Sequence, residues 1–249
     1  MLSSESLVTK DLPNKKVGIG CAPNSRFVEV SVREMENPNV IIYRDPQALA
    51  DDLASGKIDA AVRGDMSSSE LLPLIKKSLG LDALQRVLIL GINGRVVMSL
   101  PVGIDEGWSV KSRVEMTERS VAFMRKLGVE NPRIAVMSGG RLDDRGRCDV
   151  VDKSLDQAVE IVDALKSKGY DAYDAQILIE EAIDHADIIV APNGIVGNLI
   201  FRIIHFIGGF EALGAPVLNS DKVFVDTSRE KTDFSDCISV AMKLAGMRE

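Results

Sequence analysis

The sequence predicts an α/β protein on a mostly parallel, mixed sheet in two lobes. Short apolar runs rich in β-branched residues alternate with amphipathic stretches along the chain. That alternation is the pattern of βαβ units with helices on both faces of the sheet. The connections are short, as sequential crossovers in one sheet allow. One Asn93-Gly94 dipeptide lies between two apolar runs, a two-residue hairpin signal that adds an antiparallel pair.

The elements follow in order. The run 17–20 reads as a first buried strand, 25–36 as a helix and 40–43 as a β-branched strand. Pro46 opens a helix through 54, since its fixed φ suits a first turn. Residues 58–62 form the next strand, and 67–79 a helix closed by Gly80. Ser67 is its N-cap, with Glu70 completing a capping box. Strands 87–91 and 96–102 flank the hairpin turn. Then come a long amphipathic helix at 109–127, a strand at 133–137 and a helix at 152–166 ending near Gly169. A helix is expected at 175–183, a strand at 188–191, and a helix at 194–207 that is apolar almost all round. Short strands at 217–218 and 223–225 precede the last helix, 233–245. Loops at 103–107 and 219–221 mark lobe boundaries, giving 1–104 with 220–249 as one lobe and 105–219 as the other.

Composition bounds the function. The chain has 249 residues, 45% hydrophobic and 27% charged, enough for one large α/β domain or two lobes. A formal charge of -7 argues against nucleic acid, whose phosphates need a basic face. Cys21, Cys148 and Cys237 form no CxxC, and His185 and His205 are the two histidines. No disulfide framework or metal site is expected. The longest apolar run, 199–206, is broken by Arg202 and His205 and falls far short of the ~20 residues that span a bilayer. The first 16 residues carry no apolar signal-peptide core. A cytoplasmic protein without membrane contact is expected. His205 reads as a core or interface histidine, and its helix as central or as the contact of a homodimer.

Four strand ends carry residues suited to anions. Ala191-Pro192-Asn193-Gly194-Ile195-Val196-Gly197-Asn198 lies between a strand and a helix, where unpaired N–H groups and the helix dipole favour an anion. Gly194 and Gly197 would let the backbone approach a ligand, with Asn193 and Asn198 adding amide donors. A helix cap and tight turn would use the same residues. Asp226-Thr227-Ser228-Arg229 offers two hydroxyls and a guanidinium, a phosphate-binding set, or else a cap and a surface arginine. Arg63, Ser67 and Ser68 form another anion-friendly helix start, and Ser138 and Arg141 a loop of mixed charge. In open α/β sheets ligands sit outside the carboxyl ends of the strands, so the convergence favours a small anionic substrate. Gly18-x-Gly20 lacks the third glycine of a dinucleotide fingerprint. Neither a nicotinamide nor an adenosylmethionine site is expected there. Cys21 reads as a buried small hydrophobe.

These residues also carry a resemblance. The segment from Ala186-Asp187-Ile188 through Pro192-Asn193, Gly197-Asn198, Gly208-Gly209, Gly214-Ala215-Pro216-Val217-Leu218 and Asp226-Thr227-Ser228-Arg229 resembles the C-terminal signature of phosphate acetyl- and butyryltransferases. Leu127-Gly128-Val129-Glu130-Asn131-Pro132-Arg133 resembles a strand entry of the same superfamily. More narrowly, the whole chain resembles the methanogenesis marker family MtxX, a small archaeal family labelled as methyltransferases.

The resemblance implies an isocitrate/isopropylmalate dehydrogenase-like, phosphotransacylase fold and a dimer. It implies a transferase binding phosphate or an acyl phosphate in the cleft between lobes, with coenzyme A as co-substrate and no covalent cofactor or metal. Ser228 and Arg229 would hold the phosphate, and Asp236 would help deprotonate the coenzyme A thiol. The residue after the Ser-Arg pair is usually glycine in these enzymes and is Glu230 here. Two alternatives stand beside this reading, a methyltransferase linked to methanogenesis and a non-catalytic anion-binding relative.

Overall fold

A computed structural model of the chain describes residues 2–8 and 11–247. It divides into two compact units, Met1–Ser4 with Gln85–Ala212, and Glu5–Leu84 with Leu213–Glu249. The sequence had placed the division near 104 and 220. The difference lies chiefly in the hairpin. Its strands β4 (Leu88–Ile92) and β5 (Arg95–Leu100) join the longer unit, because β5 pairs in parallel with β8 (Ile188–Val190).

The terminal unit, 5–84 with 213–249, is built on β1 (Val17–Gly20), β2 (Val40–Tyr43), β3 (Ala60–Val62) and β10 (Val223–Asp226). They run parallel in the order β2-β1-β3-β10. β9 (Glu211–Pro216) adds antiparallel to β10 through Val225↔Pro216 and Asp226↔Ala215. β1 and β3 are buried at every position, as strands covered on both faces must be. α2 (Pro46–Ser55) and α3 (Ser68–Ser78) pack together around Leu49, Leu53, Leu71, Ile75 and Phe224, all at 0% exposure. Burying each such side chain contributes about 1.5–3 kcal/mol. α8 (Ser235–Gly246) packs on β3, β10 and β1, and α1 (Phe27–Met35) packs against α8.

The central unit, 85–212, continues from β4 and β5 with α4 (Val110–Lys126), β6 (Ile134–Met137), α5 (Asp149–Ser167), β7 (Ala172–Gln176), α6 (Ile179–His185), β8 and α7 (Gly194–Arg202). Its order is β4-β5-β8-β6-β7, the hairpin pair antiparallel and the pairs β5-β8, β8-β6 and β6-β7 parallel. Asn93 and Gly94 both take positive φ, 51° and 78°, as the two-residue hairpin requires.

Three elements differ from the expectation. The helix expected at 175–183 begins only at Ile179, and the residues before it form edge strand β7. Tyr173 in this half-exposed strand packs its ring under Arg133. The expected strand 217–218 lies earlier, as β9. The helix expected through 207 is α-helical only to Arg202, then continues as a π turn, Ile203–Ile207, whose His205 Nδ1 meets Phe210 O at 2.8 Å. Among the described residues no helix is long and apolar enough to cross a membrane, and no group of three or more His, Cys, Asp or Glu could hold a metal ion.

Candidate functional site

In the terminal unit, the candidate residues gather at the carboxyl ends of β3 and β10. Their foundation is buried and fully committed. The Arg63 N–H donates to Val225 O at 3.0 Å, tying the two strand ends together. Its guanidinium pairs with the Asp226 carboxylate and donates from Nη1 to Met66 O at 2.8 Å. Thr227, 6% exposed, donates its hydroxyl to Gly64 O at 2.6 Å. Gly64 has φ +62°, and a Cβ there would lie 1.8 Å from Gly20 O. Asp65 accepts from Ala22 N at 2.7 Å. Arg63 and Thr227, expected as ligands of an anion, therefore hold the strand ends in place. A buried guanidinium is satisfied first by a buried carboxylate.

The foundation presents the residues that follow Thr227. Ser228 is half-buried, and its hydroxyl donates to the Glu230 carboxylate, while Glu230 N donates back to Ser228 Oγ at 3.3 Å. Arg229 is exposed, and among the described residues its guanidinium has no hydrogen bond or ion pair. Asp236 stands in the first turn of α8, half-buried. The start of α8 is held by Asp233, which accepts from Ser235 N at 2.9 Å and from the Ser235 hydroxyl at 2.7 Å. Burial raises the Asp233 pKa, but these bonds and one from Ser31 outweigh it, and the carboxyl sits below the usual range. Ser67 occupies the N-cap position of α3 but makes no capping bond. Its hydroxyl pairs with that of Ser69 at 2.8 Å, so the expected capping box does not form. Ser68 opens the helix beside it, half-buried.

Cys21 and Cys237 are both fully buried. Burial is the main reason both thiols titrate high, Cys237 at about 11. Neither is placed as a nucleophile, which must be a thiolate.

In the central unit, the Asn193–Asn198 segment makes protein contacts. Asn193 Oδ1 accepts from Ile195 N at 3.0 Å and Val196 N at 3.1 Å, capping α7. A Cβ on Gly194 would fall 1.6 Å from Gly103 O, and one on Gly197 1.8 Å from Pro101 O. Asn198 Nδ2 donates to Val102 O at 3.2 Å. The glycines thus admit the backbone of the 101–107 loop. Expected to approach a ligand, they approach the chain itself.

That loop is fixed from its other side by a buried pair absent from the sequence reading. Arg86 Nε donates to Glu106 Oε1 at 2.6 Å, and Glu106 Oε2 accepts from Gly103 N at 3.1 Å. Burial pushes the Glu106 carboxyl up, against the lowering pull of Arg86. A cluster of glycines at 103 and 107 was the only visible signal of this packing. Ser138 is 2% exposed with its hydroxyl on Gly140 O at 3.0 Å, and Arg141 extends from an exposed loop.

Comparison with known proteins follows the same lines. No family model matches the chain. The mtx subunit X protein of Methanosarcina mazei, provisionally named a methyltransferase, is 41% identical over 212 residues, covering 84% of this chain and 75% of its own. A phosphate acetyltransferase of Mycoplasma capricolum is 33% identical over 146 residues, covering 52% of this chain and 44% of its own. Among solved structures, a branched-chain phosphotransacylase from Enterococcus faecalis superposes with TM-score 0.67 at 18% identity, covering 94% of this chain and 99% of that one. The fold is therefore that of the phosphotransacylases, and identity over more than four-fifths of its length shows that the chain belongs to the mtx subunit X family.

Proposed function

We propose that this protein is a transferase that binds phosphate or an acyl phosphate at Ser228 and Arg229, at the carboxyl end of β10. The observation that carries the reading is the contrast between two arginines in one place. Arg63 is buried and committed to Asp226, whereas Arg229 is exposed with an uncommitted guanidinium. A guanidinium and a hydroxyl on neighbouring residues just after a strand end suit a phosphate, which a guanidinium can grip with two parallel hydrogen bonds. The likeness to phosphate acetyltransferase supports the same class of substrate.

The chemistry that fits is acyl transfer to coenzyme A. The coenzyme A thiol, with a pKa of about 8.5 as for a free cysteine, is mostly protonated near neutral pH. Asp236 would take its proton as the sulfur attacks the acyl carbonyl. The carbon–oxygen bond to phosphate then breaks, and Arg229 holds the charge gathering on the leaving phosphate. The products are the thioester and free phosphate. Glu230 keeps its carboxylate on the Ser228 hydroxyl, so phosphate must displace that contact to bind. A homodimer formed through α7 completes the proposal.

A second reading, methyl transfer, rests on the name carried by the mtx subunit X relatives. One experiment separates the two. Coenzyme A-dependent consumption of acetyl phosphate should be measurable in the wild type and fall by at least ~100-fold in Arg229→Ala, the loss expected when one transition-state contact of this kind is removed. Thermal stabilisation by adenosylmethionine with no turnover of acetyl phosphate would overturn acyl transfer and favour methyl transfer.

A further inference from the structure

A buried charge is normally met by an opposite one. The described residues include three buried arginines: Arg63, Arg86 and Arg113. Arg63 has Asp226, and Arg86 has Glu106 and Asp105. Arg113, the most deeply buried at 1% exposure, forms no ion pair with a carboxylate among the described residues.

Its backbone is fixed. In the first turns of α4 its N–H donates to Ser109 O at 3.1 Å, and its carbonyl accepts the Thr117 hydroxyl at 2.7 Å. The side chain runs to α5, where Nη2 donates to Gln157 Oε1 at 2.7 Å. A guanidinium carries five N–H donors. Among the described residues this is its one side-chain bond, and Nε is buried without a hydrogen-bond partner. Glu160 on α5 attracts it from a distance without forming an ion pair, and Glu160 is itself exposed. Among the described residues a neutral amide is thus the one hydrogen-bond acceptor given to this deeply buried cation. Native structures rarely leave a donor in that state unless something else fills the place.

The position is toward the ligand-binding end of the sheet. α4 follows β5 and α5 follows β6, so the start of each helix lies toward the carboxyl ends of the parallel strands, where open α/β sheets bind ligands. Gln157 is one turn beyond Ser154, whose hydroxyl accepts from Gly139 N at 2.8 Å. Arg113 therefore reaches the part of α5 that holds the Ser138-Gly139-Gly140 loop.

We propose that Arg113 and Gln157 bind an oxyanion group, phosphate or carboxylate, at a site in the central unit distinct from Ser228 and Arg229. The anion supplies the missing counter-charge and accepts from Nε and the remaining guanidinium N–H groups. The site does not depend on the acyl-transfer reading.

The test is the melting temperature of the full chain in the Arg229→Ala background, which silences the other anion site. Inorganic phosphate, acetate and chloride are compared at one ionic strength. Phosphate or acetate at about a hundredfold excess over its Kd should raise the Tm by about 5–10 °C, and which of the two does so identifies the group. Arg113→Gln should abolish the rise and, in chloride, melt no lower than its parent, because it removes an unpaired charge. Gln157→Glu should supply that charge from the chain itself, raising the Tm in chloride and suppressing the response to phosphate or acetate. A rise that persists in Arg113→Gln overturns the site, as does an Arg113→Gln loss of equal size in chloride and phosphate. Should Arg113→Gln fail to fold, Gln157→Glu decides alone. An unchanged Tm and an unchanged anion response would overturn the proposal.

Discussion

At the residue scale, chemistry depends on which polar groups the fold has left uncommitted. Arg63 and Arg229 both follow β-strands and both look like phosphate ligands in the sequence. The fold spends Arg63 on Asp226 and Met66 O. No local signal could separate the two, because Asp226 lies far along the chain from Arg63. Glu230 was legible as a departure from the phosphotransacylase pattern, and the structure shows what it does, accepting from the Ser228 hydroxyl. Its carboxylate competes for the same donor that a phosphate would use and repels that phosphate as well. Replacing Glu230 with glycine removes both effects. At an exposed position one such like-charge contact amounts to about 1 kcal/mol, so Glu230→Gly should tighten phosphate about fivefold. Calorimetric titration in the Arg113→Gln background isolates this site. Equal or weaker affinity would show that the carboxylate helps to build the site.

At the element scale, the sequence was most informative where periodicity was strong and local. β1, β10, α2, α4 and the Asn93-Gly94 hairpin stand within a few residues of their expected places. It was least informative where tertiary pairing decides, as in β7, whose half-exposed residues alternate too weakly to outweigh a helical reading. The segment opening α7 shows the same limit for function. An anion loop and a helix start packed against a neighbouring loop need the same glycines and asparagines, and only the fold reveals that Pro101, Val102 and Gly103 are the partners. If packing is the role of Gly197, a methyl group there must force Pro101 O away. Gly197→Ala should then destabilise the chain by about 1–3 kcal/mol, and Asn193→Ala by about 1 kcal/mol through the lost cap. Urea denaturation would read both. A Gly197→Ala protein of full stability that fails only in ligand binding would return the segment to the role of an anion loop.

At the scale of the whole molecule, the sequence predicts a chain that leaves one lobe, builds a second and returns; in the structure Glu5–Leu84 and Leu213–Glu249 bracket Gln85–Ala212, and Met1–Ser4 joins the longer unit. Hairpin residues are apolar on both strands and say nothing of which sheet they join, so a division point is not legible in them. The proposed homodimer would draw its contact from what stays exposed. Along α7 and its π turn, Ile195, Leu199, Ile203 and Ile207 recur every four residues at 48%, 54%, 55% and 81% exposure. Four large aliphatic side chains in one row, with Phe206 beside them at 41%, form an apolar patch of the kind soluble monomers rarely leave uncovered. A two-fold axis places the same stripe on both sides of a contact, so each substitution in it is felt twice. Leu199→Lys and Ile203→Lys should therefore convert a dimer at about 10 μM into a monomer in sedimentation equilibrium, a loss of at least tenfold in association for the ~1.4 kcal/mol or more that unmatched charges in an apolar contact cost. Both positions are exposed in the single chain, so its own stability should change little. A wild type that sediments as a monomer, or a dimer indifferent to both lysines, would move the interface off this helix.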